Sequence, residues 1–319
     1  MSTHLAHGLW VILATPFDDT GALDHVSLAR QVRFARAAGA DGLVALGVFG
    51  EAANLSLAEQ RAVAETVAGA ADGTPMVLGV AGRSTAVCVE QGANALAGAS
   101  AGGSDAGSTG LMVQVSTPAP ASVVRHLTAV HEATGAGIVL QDYPAVSGVR
   151  VTSAQILEVV DGCGFVTAVK AESPPTPVAI GELTGGSDVP VFGGLGGVGL
   201  VDELTMGAAG AMTGFSAPEG LRATIDAHRS GGFTAARQAW APWLPLANFE
   251  AQLGIALSVR KMLMHRRGVL DHPTVRPPAP PMPDRLMPLL EQQLAAAPLP
   301  AAGTTSTDPT DLTEQTGAS

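Results

Sequence analysis

The stretch "FVTAVKAESPP" (165–175) places Lys170 and Glu172 at the end of an apolar run. In an extended strand alternate side chains share a face, so Lys170 and Glu172 point the same way and lie about 6.6 Å apart along the strand. Val166 and Ala168 share that face. If the face is buried, desolvation disfavours the ammonium form of the lysine, and a neutral amine is the nucleophile that forms a Schiff base with a ketone. The alternative is a salt bridge at an exposed rim.

Lysine is rare in this chain, with two among 17 Lys and Arg residues. The second, Lys261, lies in "SVRKMLMHRRG" beside Arg260, Arg266 and Arg267. This cluster of positive charge is typical of a solvated helix face. We therefore expect Lys170→Ala to abolish turnover and Lys261→Ala to change little.

A second candidate is the turn "GVFGEAANLSLAEQ" (47–60). Gly47 and Gly50 let backbone N–H groups approach an anion closely, and the following helix N-terminus adds positive potential. The turn suits a carboxylate, although an ordinary turn between a strand and a helix has the same glycines. Glu51 is expected to be a structural hydrogen-bond partner.

Two further stretches could contribute polar groups. In "LQDYPAVSG" (140–148) Gln141 and Tyr143 share one face and Asp142 lies on the other. The Tyr143 phenol, from the only tyrosine, could transfer protons near a Schiff base, or it could be an amphipathic rim residue. Gln141 could orient a hydroxyl or a carboxylate. The loop "GGLGGVG" (193–199), which includes Gly194, offers N–H donors for a carboxylate or a hydroxyl, and its spacing matches no nucleotide-binding motif.

Short apolar runs recur along the chain, and segments with helical periodicity separate them. Nearly continuous apolar strands predict a parallel sheet covered on both faces. Eight strands alternating with helices within about 220 residues match a (β/α)8 TIM barrel, which holds its active site at the carboxyl ends of the strands. A doubly wound sheet ranks second. The runs are 8–16, 41–50, 75–82, 111–116, 137–144, 165–172, 189–197 and 210–215.

After residue 230 the strand pattern stops. We predict a barrel over 1–230, C-terminal helices packed on it over 231–297 and a disordered tail over 298–319, because the last residues are small and polar. Capping boxes are predicted at Ser56–Glu59 and Thr152–Gln155. The Gly- and Ser-rich segment 97–110 is expected to be a flexible surface loop.

Composition excludes several classes of function. The formal net charge of −11 argues against nucleic acid and against an anionic membrane surface as partners. No run approaches the roughly 20 apolar residues of a membrane span. Cys88 and Cys163 are isolated thiols, so we predict a cytoplasmic protein. The cysteines lack metal-ligand spacing and no HxxxH or HxH pair occurs, so we predict no metal, and we also predict no cofactor.

Taken in order, four motifs resemble the dihydrodipicolinate synthase and N-acetylneuraminate lyase family of class I aldolases and lyases. They are "LATPFDDTGALD" (13–24), "GVFGEAANLSLAEQR" (47–61), "VKAE" (169–172) and "GAAGAMTGF" (207–215). The resemblance covers about residues 8–295 and implies a (β/α)8 barrel with C-terminal helices, assembled as a homo-oligomer, a dimer or a tetramer. It also implies that Lys170 forms a Schiff base with a 2-oxo acid. The backbone around Val48 and Phe49 would then hold its carboxylate.

Departures from the family pattern indicate a subgroup. Val48 and Phe49 stand where dihydrodipicolinate synthases have two threonines, Gln141 stands at a tyrosine position, and Val146 stands where they have an arginine. No tyrosine follows the fourth strand either. The chain looks most like the branch that contains L-2-keto-3-deoxyarabonate dehydratase.

That branch dehydrates a 2-keto-3-deoxy sugar acid, and the resemblance implies that Gln141 and Glu172 assist the hydroxyl and proton transfers. Retro-aldol cleavage to pyruvate is the alternative within this class. A non-catalytic 2-oxo acid sensor is the alternative outside it.

Overall fold

The computed structural model describes residues 4–105 and 109–299, and its strands close into one parallel barrel. The strands are β1 (Gly8–Ile12), β2 (Gly42–Ala45), β3 (Met76–Gly79), β4 (Thr109–Gln114), β5 (Ile138–Asp142), β6 (Val166–Ala171), β7 (Val191–Gly193) and β8 (Gly210–Thr213). Each pairs with the next in chain order, and β8 pairs with β1. The predicted (β/α)8 barrel is therefore confirmed.

Helices follow the strands and then continue beyond the barrel. They are α1 (His25–Ala37), α2 (Leu57–Ala71), α3 (Thr85–Ala101), α4 (Pro120–Thr134), α5 (Pro144–Ser147), α6 (Ser153–Asp161), α7 (Thr176–Gly186), α8 (Leu200–Thr205), α9 (Pro218–Trp240), α10 (Leu244–Glu250), α11 (Ala256–Arg266) and α12 (Met287–Ala296). Both predicted capping boxes are present, at the starts of α2 and α6. None of the helices in the described ranges is long and apolar enough to span a membrane.

The barrel interior is filled by one cluster of buried side chains that draws on all eight strands. It consists of Trp10, Ile12, Val44, Val77, Met112, Val139, Ala168, Phe192, Ala209 and Met212. Since side chains alternate along a strand, Gln141 and Lys170, two residues beyond Val139 and Ala168, extend this interior toward the carboxyl ends of the strands. The interior face of β6 therefore ends in a lysine.

The alternation predicted for β6 fails at its first residue. Pairing with β5 shifts by one residue, so that Val166 pairs with Ile138 and Ala168 with Val139. Val166 packs in the outer core instead of the interior. A bulge of this kind reverses the face of the residues before it, and Ala168 and Lys170 keep the predicted face.

The loop predicted over 97–110 is wrong at its start, because α3 runs to Ala101. Small residues here serve close helix packing: a Cβ added at Gly98 would lie 2.4 Å from the carbonyl oxygen of Arg61 on α2. Residues 106–108 of that prediction, and the tail from residue 300 onward, lie outside the described residues.

Candidate active site

Lys170 lies at the end of β6 and its side chain is 4% exposed. Its Nζ lies 3.0 Å from Oε2 of Glu172, whose side chain is 6% exposed. The salt bridge weighed from the sequence exists, but it is buried and not at an exposed rim. A buried ion pair is costly to desolvate and adds little to stability, so its position at the end of a barrel strand indicates chemistry.

Three groups hold the Glu172 carboxylate in place. Oε2 accepts a hydrogen bond of 2.7 Å from Nε2 of Gln141 in addition to the contact with Lys170. Oε1 accepts one of 3.2 Å from the backbone N–H of Leu195, in the loop after β7. Gly194 leaves room for this carboxylate, because a Cβ added there would lie 2.2 Å from Oε1. The structure therefore brings together Lys170, Glu172, Gln141 and Gly194.

Tyr143 follows β5 directly and is half-buried. Burial and the charge of Glu172 raise the pKa of its phenol, and the charge of Arg260 lowers it. Among the described residues the phenol has no hydrogen-bond partner. A proton-transfer role for Tyr143 stays a prediction.

Asp142 points away from the barrel interior, as the alternation predicts. It lines a separate cavity of about 220 Å³ between α6 and α7. Burial and the nearby Glu172 raise the pKa of its carboxyl group to about 6. This shift was not predictable from the sequence pattern, because it depends on how α6 and α7 pack around the side chain.

The turn after β2 is bracketed by two non-glycine residues in the left-handed region, Leu46 at φ 58 and Glu51 at φ 55. Such conformations cost free energy and cluster at functional sites. Gly50 and Glu51 donate backbone hydrogen bonds to Gly47 and Val48 within the turn. The amides of Val48 and Phe49 have no acceptor among the described residues.

This turn borders a cavity of about 390 Å³ at the carboxyl ends of β2 to β5. Gln141, Gly47 and Val48 line it, so the cavity reaches the Lys170 network. Arg83 lines the same cavity, and its Nη2 donates to the Val146 carbonyl oxygen at 3.5 Å. Arg83, in the loop after β3, therefore lies beside Val146, the position at which dihydrodipicolinate synthases have an arginine.

The solvated face predicted for Lys261 is wrong. Lys261 is 0% exposed, and its Nζ donates to Oε1 of Glu51 at 2.5 Å and to the Thr274 carbonyl oxygen at 2.9 Å. Burial lowers the pKa of Lys261 and the charge of Glu51 raises it. The pair fixes the turn after β2 from the outside, in keeping with the structural role expected for Glu51.

Arg260, the neighbour of Lys261 on α11, is also buried, with its side chain 6% exposed. Its Nε donates to Oε2 of Glu250 at 2.9 Å, and Ser216 donates to the same carboxylate from its backbone N–H. The solvated face predicted from the sequence is therefore wrong for Arg260 as well, and Glu250 was not singled out from the sequence. An acid inside the apolar segment "LPLANFEAQLG" (244–254) was the available signal, because a buried carboxylate needs a partner.

Glu203, on α8, is a further buried acid and is 1% exposed. Thr176 donates to its Oε1 at 2.6 Å, and Oε2 has no partner among the described residues. Burial, opposed by the hydrogen bond from Thr176 and assisted by the charge of Glu172, raises the pKa of Glu203 to about 7. No sequence signal singled it out.

A buried lysine in contact with a carboxylate at the mouth of a (β/α)8 barrel is the arrangement of a Schiff-base lyase. Residues 5–297 match the dihydrodipicolinate synthetase family, and the chain belongs to this family. It is 31% identical over 295 residues to L-2-keto-3-deoxyarabonate dehydratase of Azospirillum brasilense, covering 88% of this chain and 90% of that protein.

Other relatives have a different name. The chain is 28% identical over 288 residues to 4-hydroxy-tetrahydrodipicolinate synthase of Parasynechococcus marenigrum, covering 89% and 93% of the two chains. The crystal structure of dihydrodipicolinate synthase from Rhodopseudomonas palustris has a TM-score of 0.83 at 28% identity, covering 92% of this chain and all of that one. The family and the barrel are thus shared with enzymes of more than one named activity.

Proposed function

We propose that this lyase forms a Schiff base between Lys170 and a 2-oxo acid, and that it removes water from a 2-keto-3-deoxy sugar acid. One observation carries the proposal: the Glu172 carboxylate contacts Lys170 Nζ at 3.0 Å and Gln141 Nε2 at 2.7 Å. A single carboxylate that contacts the amine can also transfer protons at the carbon atoms next to the imine.

The first step needs a neutral amine. Oε2 of Glu172 is placed to accept the proton of the Lys170 ammonium across their direct contact. The freed amine attacks C2 of the 2-oxo acid, and loss of water from the resulting carbinolamine gives a protonated imine. This cation withdraws electrons from C3 and makes its protons acidic.

The second step is an elimination. Glu172 as a carboxylate removes a C3 proton, and the electron pair moves into the imine to give an enamine. The C4–O bond then breaks as the hydroxyl group takes up a proton, which the carboxyl group of Glu172 can supply, and leaves as water. Hydrolysis of the imine restores Lys170 and releases an oxo acid with one water fewer than the substrate.

The free N–H groups of Val48 and Phe49 support binding of the C1 carboxylate at the turn after β2. Backbone donors bind a carboxylate by charge-assisted hydrogen bonds. The valine and the phenylalanine have no hydroxyl group, so side chains at these two positions cannot relay protons, and Glu172 and Tyr143 are the candidate groups for proton transfer.

Dehydration is favoured over lysine biosynthesis by the replaced residues. Gln141 cannot act as a base and lies where dihydrodipicolinate synthases have a tyrosine, and no arginine is present at Val146. The similarity to L-2-keto-3-deoxyarabonate dehydratase over 90% of that protein supports the same substrate class.

The test is a product assay with 2-keto-3-deoxy-L-arabonate, followed by mass spectrometry. We expect an oxo-semialdehyde lighter than the substrate by one water. Release of pyruvate would mean cleavage of the C3–C4 bond and an aldolase. Binding without any product would favour the sensor.

A further inference from the structure

Helix α11 brings a guanidinium group into the core at the carboxyl end of the barrel. Arg260 is 5% exposed, and its Cζ lies 3.7 Å from the centroid of the Phe49 ring. Its counter-charge, Glu250, is 0% exposed. Glu250 is held by hydrogen bonds from Ser216, so the acid is satisfied on its own side of the pair.

Only one of the three Arg260 nitrogens is used by the protein. Nε donates to Glu250, whereas Nη1 and Nη2 have no hydrogen-bond partner among the described residues. These two nitrogens are not among the fully enclosed unpartnered atoms either. Together they carry four N–H donors, so the buried arginine has donors that no described protein group uses.

Two glycines, Gly214 after β8 and Gly196 after β7, locate Nη1 and Nη2 at the carboxyl end of the barrel. Met212 belongs to the interior cluster, and Gly214 lies two residues further along the same face of the chain. A Cβ added at Gly214 would lie 2.5 Å from Nη1 of Arg260. The guanidinium group thus lies where a side chain at position 214 would stand above the interior.

The loop after β7 links this guanidinium group to the Lys170 network. Its residue Gly196 has a Cβ position 3.5 Å from Nη2 of Arg260. Leu195, the preceding residue, donates its N–H to Glu172. Adjacent Cα atoms are about 3.8 Å apart, so Glu172 and Arg260 lie against neighbouring residues of one loop, and the charges of both act on Tyr143.

Arg260 lies beside Gly196 and Gly214, which follow the ends of β7 and β8, whereas Lys170 lies inside β6. Two residues along a strand span about 6.6 Å. Glu172 therefore lies about this far beyond Lys170 toward the carboxyl end of β6, at an outer level of the site. Carbons beyond C3 of a substrate joined to Lys170 through C2 can reach this outer level. Pyruvate ends at C3 and does not.

We propose that Arg260 donates hydrogen bonds to the hydroxyl oxygens beyond C3 and thereby selects hydroxylated 2-oxo acids over pyruvate. The inference rests on the proposed function of Lys170 and adds a substrate-binding residue to it. An arginine can donate from two nitrogens to neighbouring oxygens in a fixed geometry, which suits a polyhydroxylated chain.

The experiment compares wild type with Arg260→Gln. The readouts are kcat/KM for 2-keto-3-deoxy-L-arabonate and the pyruvate concentration that half-saturates borohydride trapping at Lys170. We expect kcat/KM to fall about 10- to 100-fold, the range for losing hydrogen bonds to a charged group. The half-saturating pyruvate concentration should change less than about threefold, because pyruvate has no hydroxyl group for Arg260 to bind.

Two further variants separate recognition from folding. Arg260→Gln combined with Glu250→Gln removes the buried acid that the single change leaves unpaired, and it should show the same selective loss. Arg260→Lys keeps the charge and should recover part of the activity.

Arg267→Gln is the matched control, because Arg267 also pairs with a glutamate, Glu219, and lies 4.9 Å from a ring, that of Phe34. It should leave the ratio between the two substrates unchanged.

An equal loss for pyruvate and for the sugar acid would overturn the assignment of Arg260, and so would no loss for either. Failure of the proposed function looks different, since wild type itself would then form no adduct at Lys170.

Discussion

Replacing Lys261 by methionine should destabilise the protein strongly. Lys261 and Glu51 form an ion pair of 2.5 Å with side chains 0% and 2% exposed. Methionine keeps the apolar stem and removes the charge, so Glu51 remains buried without its main partner. Removal of one member of a buried pair costs about 3–5 kcal/mol. Loss of the contact between Nζ and the Phe17 ring, 4.4 Å from its centroid, adds to this.

We therefore expect Lys261→Met to lower the free energy of unfolding by about 4 kcal/mol, measured by urea denaturation at pH 7.5. Adding Glu51→Gln should recover part of the loss, because the unpaired charge is gone. The control on the same helix is Arg266→Ala. Arg266 pairs with Glu291, but their side chains are 43% and 52% exposed, and exposed pairs contribute about 0–1 kcal/mol.

Lys261→Met should also weaken substrate binding, since Glu51 ends the turn that carries the free N–H groups of Val48 and Phe49. We expect a several-fold rise in KM with adduct formation at Lys170 retained. If Lys261→Met lowers the stability by less than about 1 kcal/mol, as Arg266→Ala is expected to do, the buried pair of Lys261 and Glu51 contributes no more than an exposed pair. The assigned stabilising role of Lys261 would then be wrong.

Two other changes test the site. Gly194→Ala places a Cβ 2.2 Å from Oε1 of Glu172, so kcat should fall at least tenfold with little change in urea stability; an unchanged kcat would contradict the tight approach. Glu203→Gln tests the raised pKa of about 7 against the ordinary 4.5. Between these values the folded state keeps a proton that the unfolded state has lost, so wild-type stability falls as pH rises from about 4.5 to about 7, by about 3 kcal/mol in total. The variant should lack this part of the fall when urea unfolding is compared at pH 5 and pH 8. An identical pH dependence would place the pKa of Glu203 near its ordinary value.

Much of the fold was predictable because its signals are local. Apolar runs of the right length predict buried parallel strands, and the capping boxes at Ser56 and Thr152 depend on residues three positions apart. The contact between Lys170 and Glu172 follows from alternation within one strand. Their burial and the added bond from Gln141 agree with the predicted barrel, in which β5 and β6 are neighbours.

The buried charges on α11 were not predictable by the same means. Lys261 and Glu51 are separated by 210 residues along the chain, and the sequence around Lys261 has the composition of an exposed basic helix. Only the closed barrel brings α11 over the turn after β2. The predicted homo-oligomeric state, the cytoplasmic location and the division of the chain at residue 230 remain predictions.

Borohydride reduction in the presence of pyruvate, with intact mass and peptide mapping, directly tests whether Lys170 forms a Schiff base with a 2-oxo acid. The chain offers only two lysines, and the second is enclosed by Glu51 and Thr274. We expect one reduced adduct, located on Lys170 and absent from Lys170→Ala. An adduct on Lys261, or no adduct with pyruvate or a longer 2-oxo acid, would contradict it.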